Sequence, residues 1–164
     1  MSPVDQAELR RVSGYFATGV TIVTASREGT PCGLTVNSFT SLSLDPRLVL
    51  VCVNRNARSY PCLEAAEHFA VNVIARGQVE LSRRFASQEK DKFAGLSFHA
   101  GALTGAPILG GVHAWLECRV LERFPGGNTH TVFIGSVEAV GTGVGEPLLY
   151  YRGSYAGLAP LPDR

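Results

Sequence analysis

Two long runs rich in β-branched and apolar residues, Val112 to Phe124 and His130 to Val140, are separated only by Pro125-Gly126-Gly127-Asn128-Thr129. A short Pro/Gly/Asn connection between two such runs turns the chain back on itself, so the pair is expected to form a long antiparallel hairpin. This hairpin constrains the rest of the chain, because a ribbon of that length must bury one face against further strands.

Those strands are legible upstream. Val20 to Thr24 is a β-branched run, Arg27-Glu28-Gly29-Thr30 reads as a turn, and Gly33 to Leu44 is an extended stretch crowded with Ser and Thr. Asp45-Pro46 breaks the chain, and Leu48 to Val53 is a continuous apolar run expected to be a strand buried on both faces. Phe69 to Ile74 is a further strand, and Pro147 to Tyr151 a short last one, after which Arg152-Gly153-Ser154-Tyr155 turns into a loose tail. Three helices are expected. The first is capped at Ser2-Pro3 and Asp5, carries Leu9, Val12, Tyr15 and Phe16 on a buried face, and ends near Gly19. A short one lies within Ala57 to His68 despite Pro61. The third, Gln78 to Phe85, turns Val79, Leu81 and Phe85 inward. Gly101 to Gly111 reads as a long connection. Six or more strands with helices that do not alternate with them point to a mainly β fold, a closed antiparallel barrel with peripheral helices.

At 164 residues the chain fits one domain. Hydrophobic residues make up 45% and charged residues 18%, an apolar balance that calls for a partner subunit or a flat cofactor to cover some surface. With 15 basic and 14 acidic residues spread along the chain, no field favours a polyanion, and nucleic acid is excluded as a partner. Cys32, Cys52, Cys62 and Cys118 lack C-x-x-C or finger spacing and are read as reduced core thiols, with no metal site. Neither a signal-peptide core nor a membrane-length apolar run is present, so a cytoplasmic location is expected.

The fingerprints of dinucleotide folds, P-loops, zincins and nucleophile elbows are absent. Two segments carry polar side chains where a ligand could use them. Thr35-Val36-Asn37-Ser38-Phe39-Thr40-Ser41-Leu42-Ser43 would, as a strand, place Thr35, Asn37 and Phe39 on one face and Val36, Ser38 and Thr40 on the other. Asn54-Arg55-Asn56-Ala57-Arg58-Ser59 combines amides, guanidinium groups, a hydroxyl and a helix start, as a phosphate site does. Taken alone, the first equally describes a solvated edge strand and the second a solvated loop.

Phe16-Ala17-Thr18-Gly19-Val20-Thr21-Ile22-Val23-Thr24, followed by Gly33-Leu34-Thr35-Val36-Asn37-Ser38-Phe39-Thr40-Ser41-Leu42-Ser43-Leu44-Asp45-Pro46, closely resembles the flavin reductase-like, FMN-binding split-barrel family. The likeness continues through Phe69 to Val73, Arg84-Phe85-Ala86, Asp91-Lys92-Phe93, Gly105-Ala106-Pro107, Trp115 to Cys118 and Pro147 to Tyr155, spanning about residues 8 to 158. The resemblance implies a homodimeric antiparallel split β-barrel that reduces FMN or FAD with NADH or NADPH by hydride transfer to flavin N5. The reduced flavin passes by diffusion to a partner monooxygenase. It assigns Thr35, Val36, Asn37 and Ser38 to the flavin, with Thr35, Asn37 and Ser38 hydrogen-bonding the ring and ribityl chain. Cys52, Val53 and Asn54 lie along the pyrimidine edge, and Ser59 meets the phosphate. Phe85 and Lys92 close over the ribityl and phosphate region. Tyr155, which follows a glycine beyond the last strand, is placed by that position within reach of the nicotinamide or of the flavin of a second subunit.

One departure matters. Family reductases carry Gly-Asp-His at the tip of the late hairpin, whereas here the chain reads Gly127-Asn128-Thr129-His130. His130 is still expected to be the catalytic residue beside the nicotinamide, without the usual carboxylate. The altered tip also motivates two other readings, a split-barrel protein with tightly held flavin and a different redox role, and a non-catalytic flavin-binding module. Trp115 and Phe133 are expected in the core.

Overall fold

The structure is a computed structural model and describes residues 4–161. Its centre is a seven-stranded antiparallel sheet in the order β3-β2-β6-β9-β10-β5-β4. The strands are β2 (Thr21–Arg27), β3 (Thr30–Val36), β4 (Thr40–Leu44), β5 (Arg47–Asn54), β6 (His68–Val73), β9 (Ala114–Gly126) and β10 (His130–Thr142). The two outermost strands, β3 and β4, are consecutive in sequence and joined by Asn37, Ser38 and Phe39 alone. In a flat sheet they would lie six strand spacings apart, about 29 Å, whereas that connection reaches only about 14 Å. The sheet is therefore curled until its edges meet. Ser38 makes the seam: its hydroxyl donates to the Cys52 carbonyl (2.9 Å) and accepts from the Cys52 N–H (3.1 Å).

The remaining elements brace this barrel. A second sheet of β1 (Thr18–Gly19), β11 (Leu149–Tyr151) and β12 (Ser154–Ala156) lies at one end, and the expected long connection contains β8 (Pro107–Leu109), which pairs with β7 (Phe98–Ala100) just before it. Asn72 ties that connection to the barrel. Its buried amide donates to the Ile22 carbonyl and Thr24 Oγ1 and accepts from the Leu109 N–H (2.8 Å). The helices are α1 (Gln6–Ser13), α2 (Tyr60–Ala65) and α3 (Val79–Ala86). Pro61 stands in the first turn of α2, where no intrahelical donor is lost.

The hairpins stand where the sequence places them, with four corrections. α1 is capped by Asp5, whose side chain accepts from the Glu8 N–H, and it stops at Ser13, short of Gly19. It buries none of its residues against its own chain, and Leu9, Val12 and Phe16 are 60%, 53% and 78% exposed; Ser2 and Pro3 lie outside the described residues. β5 is not covered on both faces: Val49, Val51 and Val53 are buried, while Leu48, Leu50 and Cys52 on the other face are half-covered. The extended run from Gly33 is interrupted after Val36. Finally, Cys32 and Cys62 form a disulfide, with Cα atoms 6.4 Å apart, because the edge strand β3 packs against α2; only Cys52 and Cys118 are free. Their 30-residue separation gave no pattern to read.

Two large apolar clusters and a small third one of Ala70, Ala106 and Ile108 fill the interior. One joins β2, β3, β5, β6, β9, β10 and α2 around Val23, Val51, Leu63, Phe69 and Phe133. The other joins Ile22, Ile74, Phe85, Phe93, Leu109 and Leu148, and so packs α3 against the barrel. Phe133 is buried as expected, and Trp115 is half-buried at the border of the second cluster.

Candidate active site

Where the barrel edges meet, the chain leaves a cleft of about 350 Å³. Its polar wall comes from the end of β3 and the loop after it. Because β3 ends at Val36, the strict alternation is lost, and Thr35, Val36, Asn37 and Ser38 all border the same space. Cys52 and Asn54 face them from β5, and His130, directly opposite Asn54 in the β5–β10 ladder, completes that side. Val20, Leu34 and Tyr150 supply apolar contact, and Tyr155 stands over α3.

The hydroxyls of the polar wall are partly committed to the fold. Thr35 Oγ1 donates to the Ser82 carbonyl (2.6 Å), and Ser38 is held by Cys52 as described. The Tyr155 and Ser82 hydroxyls lie 2.9 Å apart, and the Arg83 guanidinium sits over the Tyr155 ring, so β12 is locked to α3 across the cleft. Asn54 Oδ1 accepts from the Asn56 N–H (2.8 Å), which turns the chain away from β5. Asn37 is exposed at the rim. His130 Nδ1 lies 2.8 Å from Thr129 Oγ1, so a neutral hydroxyl stands beside the imidazole where the sequence lacks an acid. The Thr129 carbonyl is itself fixed by the Arg55 N–H (2.8 Å). Burial pushes the Cys52 thiol above its ordinary range, with the Ser38 hydrogen bond acting in the opposite direction.

The cleft continues into a second one of about 240 Å³, with which it shares Leu34, Thr35, Asn54 and Ala86. This arm is polar and basic, bordered by Asn56, Arg58, Gln88 and Lys92. Lys92 is buried, and its ammonium donates to the Phe85 carbonyl (2.8 Å) and more weakly to that of Gly33 (3.4 Å). Burial pulls its pKa down, the Glu89 carboxylate resists that fall, and Arg58 reinforces it. A third, shallower cleft of about 200 Å³ lies beyond, between Cys32, Arg58, Ser59, Cys62, Lys90 and Lys92.

Eight expected residues thus come together in the main cleft: Thr35, Val36, Asn37, Ser38, Cys52, Asn54, His130 and Tyr155. Four do not. Val53 is wholly buried and points into the core, leaving only its backbone near the site. Phe85 is wholly buried as well, edge-to-face with Phe93 at 5.1 Å, and it borders the basic arm rather than the main cleft. A side chain at Gly33 would come within 2.9 Å of its ring, so the glycine is required for this packing. Ser59 is buried, donates to the Gly33 carbonyl (2.5 Å) and borders only the outermost cleft. Lys92 borders the two basic clefts but not the main one. Val20, Leu34, Ser82, Ala86 and Tyr150 were not anticipated. Ser82 carried one signal, a small polar residue three positions before Phe85 on the inward face of α3.

A family model described as the flavin reductase like domain matches residues 13–159. The chain belongs to the flavin reductase family. Its fold is that family's split barrel. Among curated relatives, the reductase component of 4-nitrophenol 4-monooxygenase/4-nitrocatechol 2-monooxygenase from Rhodococcus opacus is 40% identical over 160 residues, covering 98% of this chain and 85% of the relative. Among solved flavin reductase structures, the nitrilotriacetate monooxygenase component B homologue from Mycobacterium thermoresistibile superimposes with a TM-score of 0.91 at 42% identity, covering 98% of this chain and 90% of that one. The Streptomyces globisporus NADH:FAD oxidoreductase SgcE6, solved with NAD and FAD fragments, gives 0.90 at 40% identity, covering 99% and 100%.

Proposed function

We propose that this flavin reductase oxidises NADH or NADPH and reduces FMN or FAD, supplying the reduced flavin by diffusion to a partner monooxygenase, and that it works as a cytoplasmic homodimer. The observation that carries this reading is the continuity of the two clefts, a half-apolar slot leading into a basic arm. Such a shape fits a flat ring with a polar edge and a phosphorylated tail. The donor set fits too: hydroxyls and amides beside the slot, cations only along the arm. The relatives named as monooxygenase reductase components favour the same reading, and the one named as an NADH-dependent FAD reductase favours NADH and FAD as the pair.

Bound flavin supplies the redox chemistry, accepting a hydride from the reduced nicotinamide. The chain's own residues align and shield. Val20, Leu34 and Tyr150 exclude water from one ring face, Asn37 and the backbone of Cys52 to Asn54 meet the polar edge, and Arg58 and Lys92 draw the phosphate. His130, steadied by Thr129, borders the cleft and would contact a nicotinamide aligned there for transfer. No strongly perturbed acid or base is required for a hydride step. The test is steady-state oxidation of NADH and of NADPH with each of FMN and FAD. Turnover is expected with at least one pair, and absence of oxidation with all four would overturn the assignment.

A further inference from the structure

The Cys32–Cys62 bond lies at a mechanically sensitive point. Cys32 is in β3 immediately before Gly33, whose carbonyl accepts from both Ser59 Oγ and Lys92 Nζ. Cys62 lies three residues beyond Ser59 in α2. The bond is thus the covalent member of a small set of links that hold the start of α2 against β3. Arg58 and Lys92, the cations of the basic arm, border both the arm and the outermost cleft that the two cysteines line.

Both cysteines are half-exposed and border the outermost cleft together with Arg58, Lys90 and Lys92. The Glu89 carboxylate borders the same cleft, but three cations outnumber it, and an open setting with a net positive lining favours thiolate and admits small reactants. Cys118 is the opposite case: buried, with burial and the nearby carboxylates of Glu138 and Glu117 pushing its thiol up to about 12.

We propose that Cys32 and Cys62 form a thiol–disulfide switch that sets how tightly the protein holds flavin, closed by hydrogen peroxide and opened by a dithiol reductant. The proposal rests on the flavin reductase reading above. Peroxide is at hand because reduced flavin that meets dioxygen before its acceptor passes two electrons to it. One thiolate attacks peroxide, the O–O bond breaks, and a sulfenic acid and hydroxide form. The second thiol then attacks the sulfenic sulfur, the S–S bond forms and water leaves. In sum two thiols lose two electrons and two protons, and one peroxide becomes two waters. A dithiol reverses the bond by exchange. With the bond closed, α2 is pinned to β3 and less of the phosphate wall has to be ordered when flavin binds, so affinity rises. Tighter holding slows release of reduced flavin and thereby limits further peroxide. A disulfide in a reducing compartment is characteristically of this transient, sensing kind.

The test compares one preparation after treatment with dithiothreitol and after treatment with hydrogen peroxide. Thiols are counted by alkylation under denaturing conditions and mass spectrometry, and FMN and FAD affinities are measured by titration of flavin fluorescence. Four alkylated cysteines should fall to two on oxidation, and Kd should drop about three- to tenfold, the size expected when one or two side chains no longer need ordering. The double variant Cys32→Ser/Cys62→Ser should keep the weaker Kd under both treatments. Four reactive thiols after peroxide, or equal Kd values in the two states, would overturn the switch. NAD(P)H oxidation at saturating flavin, run alongside, separates the two failures: turnover with equal Kd values sinks only the switch, whereas no turnover with any pair sinks the reductase reading beneath it.

Discussion

Glu117 is the most demanding single residue outside the cleft. It is a carboxylate on β9 with 1% of its surface exposed. Burial alone would raise its pKa, but Thr104 Oγ1 (2.7 Å), the Thr104 N–H (2.8 Å) and the Leu103 N–H (3.1 Å) all donate to it, and together they hold the carboxyl below its ordinary value. Gly101 clears the space, since any side chain there would collide with the Glu117 carboxylate. The carboxylate therefore folds the turn before β8 around itself. Its depressed pKa means that its contribution to stability is complete above the unfolded value of about 4.3 and is lost as pH falls through the lower, folded value. Glu117→Gln should cost about 1.5–3 kcal/mol at neutral pH, read from urea unfolding, and the gap from the parent protein should shrink as pH drops below that of free glutamate. A gap that is absent at neutral pH, or that widens in acid, would contradict this account. Sequence pattern gave no hint of Glu117, because a single acid in a strand looks like any solvated one. Thr35 to Ser38 became legible only through the family resemblance, because polar side chains along an extended segment describe a solvated edge strand as well as a ligand wall.

At the scale of elements, hairpins were readable where turn residues and β-branched runs coincide, as at Arg27 to Thr30 and at Pro125 to Thr129. β7, β8 and β12 escaped notice because strands of three residues carry no period. The errors over α1 and β5 share one cause: apolar patterning says that a face is covered, not by what. Among the described residues, Leu9, Val12 and Phe16 stay largely exposed and the outer face of β5 is only half-covered. A second copy provides the cover in the proposed homodimer, while flavin covers the Cys52 end of β5. Sedimentation velocity should therefore return twice the 17.5 kDa of one chain, and Leu9→Glu should shift the species toward one chain without loss of the β signal in circular dichroism. A single-chain mass for the parent protein at micromolar concentration would contradict the dimer.

For the whole molecule, the mainly β barrel with non-alternating helices was legible from the spacing of strands, but its closure was not. Closure depends on a three-residue loop that brings the two sheet edges together, and on Ser38 stitching that seam to Cys52. The same seam opens the cleft. Fold and site are thus one construction: the place where the barrel lacks a full ladder is the place where a flat ligand can enter. The disulfide was invisible for a related reason, since a contact between β3 and α2 exists only after the sheet has curled. The most direct test of this construction is a crystal structure of the protein soaked with FMN or FAD. The account predicts the ring seated between Thr35–Ser38 and Cys52–Asn54, its phosphate turned toward Arg58 and Lys92, and one ring face open beside His130. A ring bound elsewhere, or a cleft that its own side chains keep filled in the presence of saturating flavin, would contradict it.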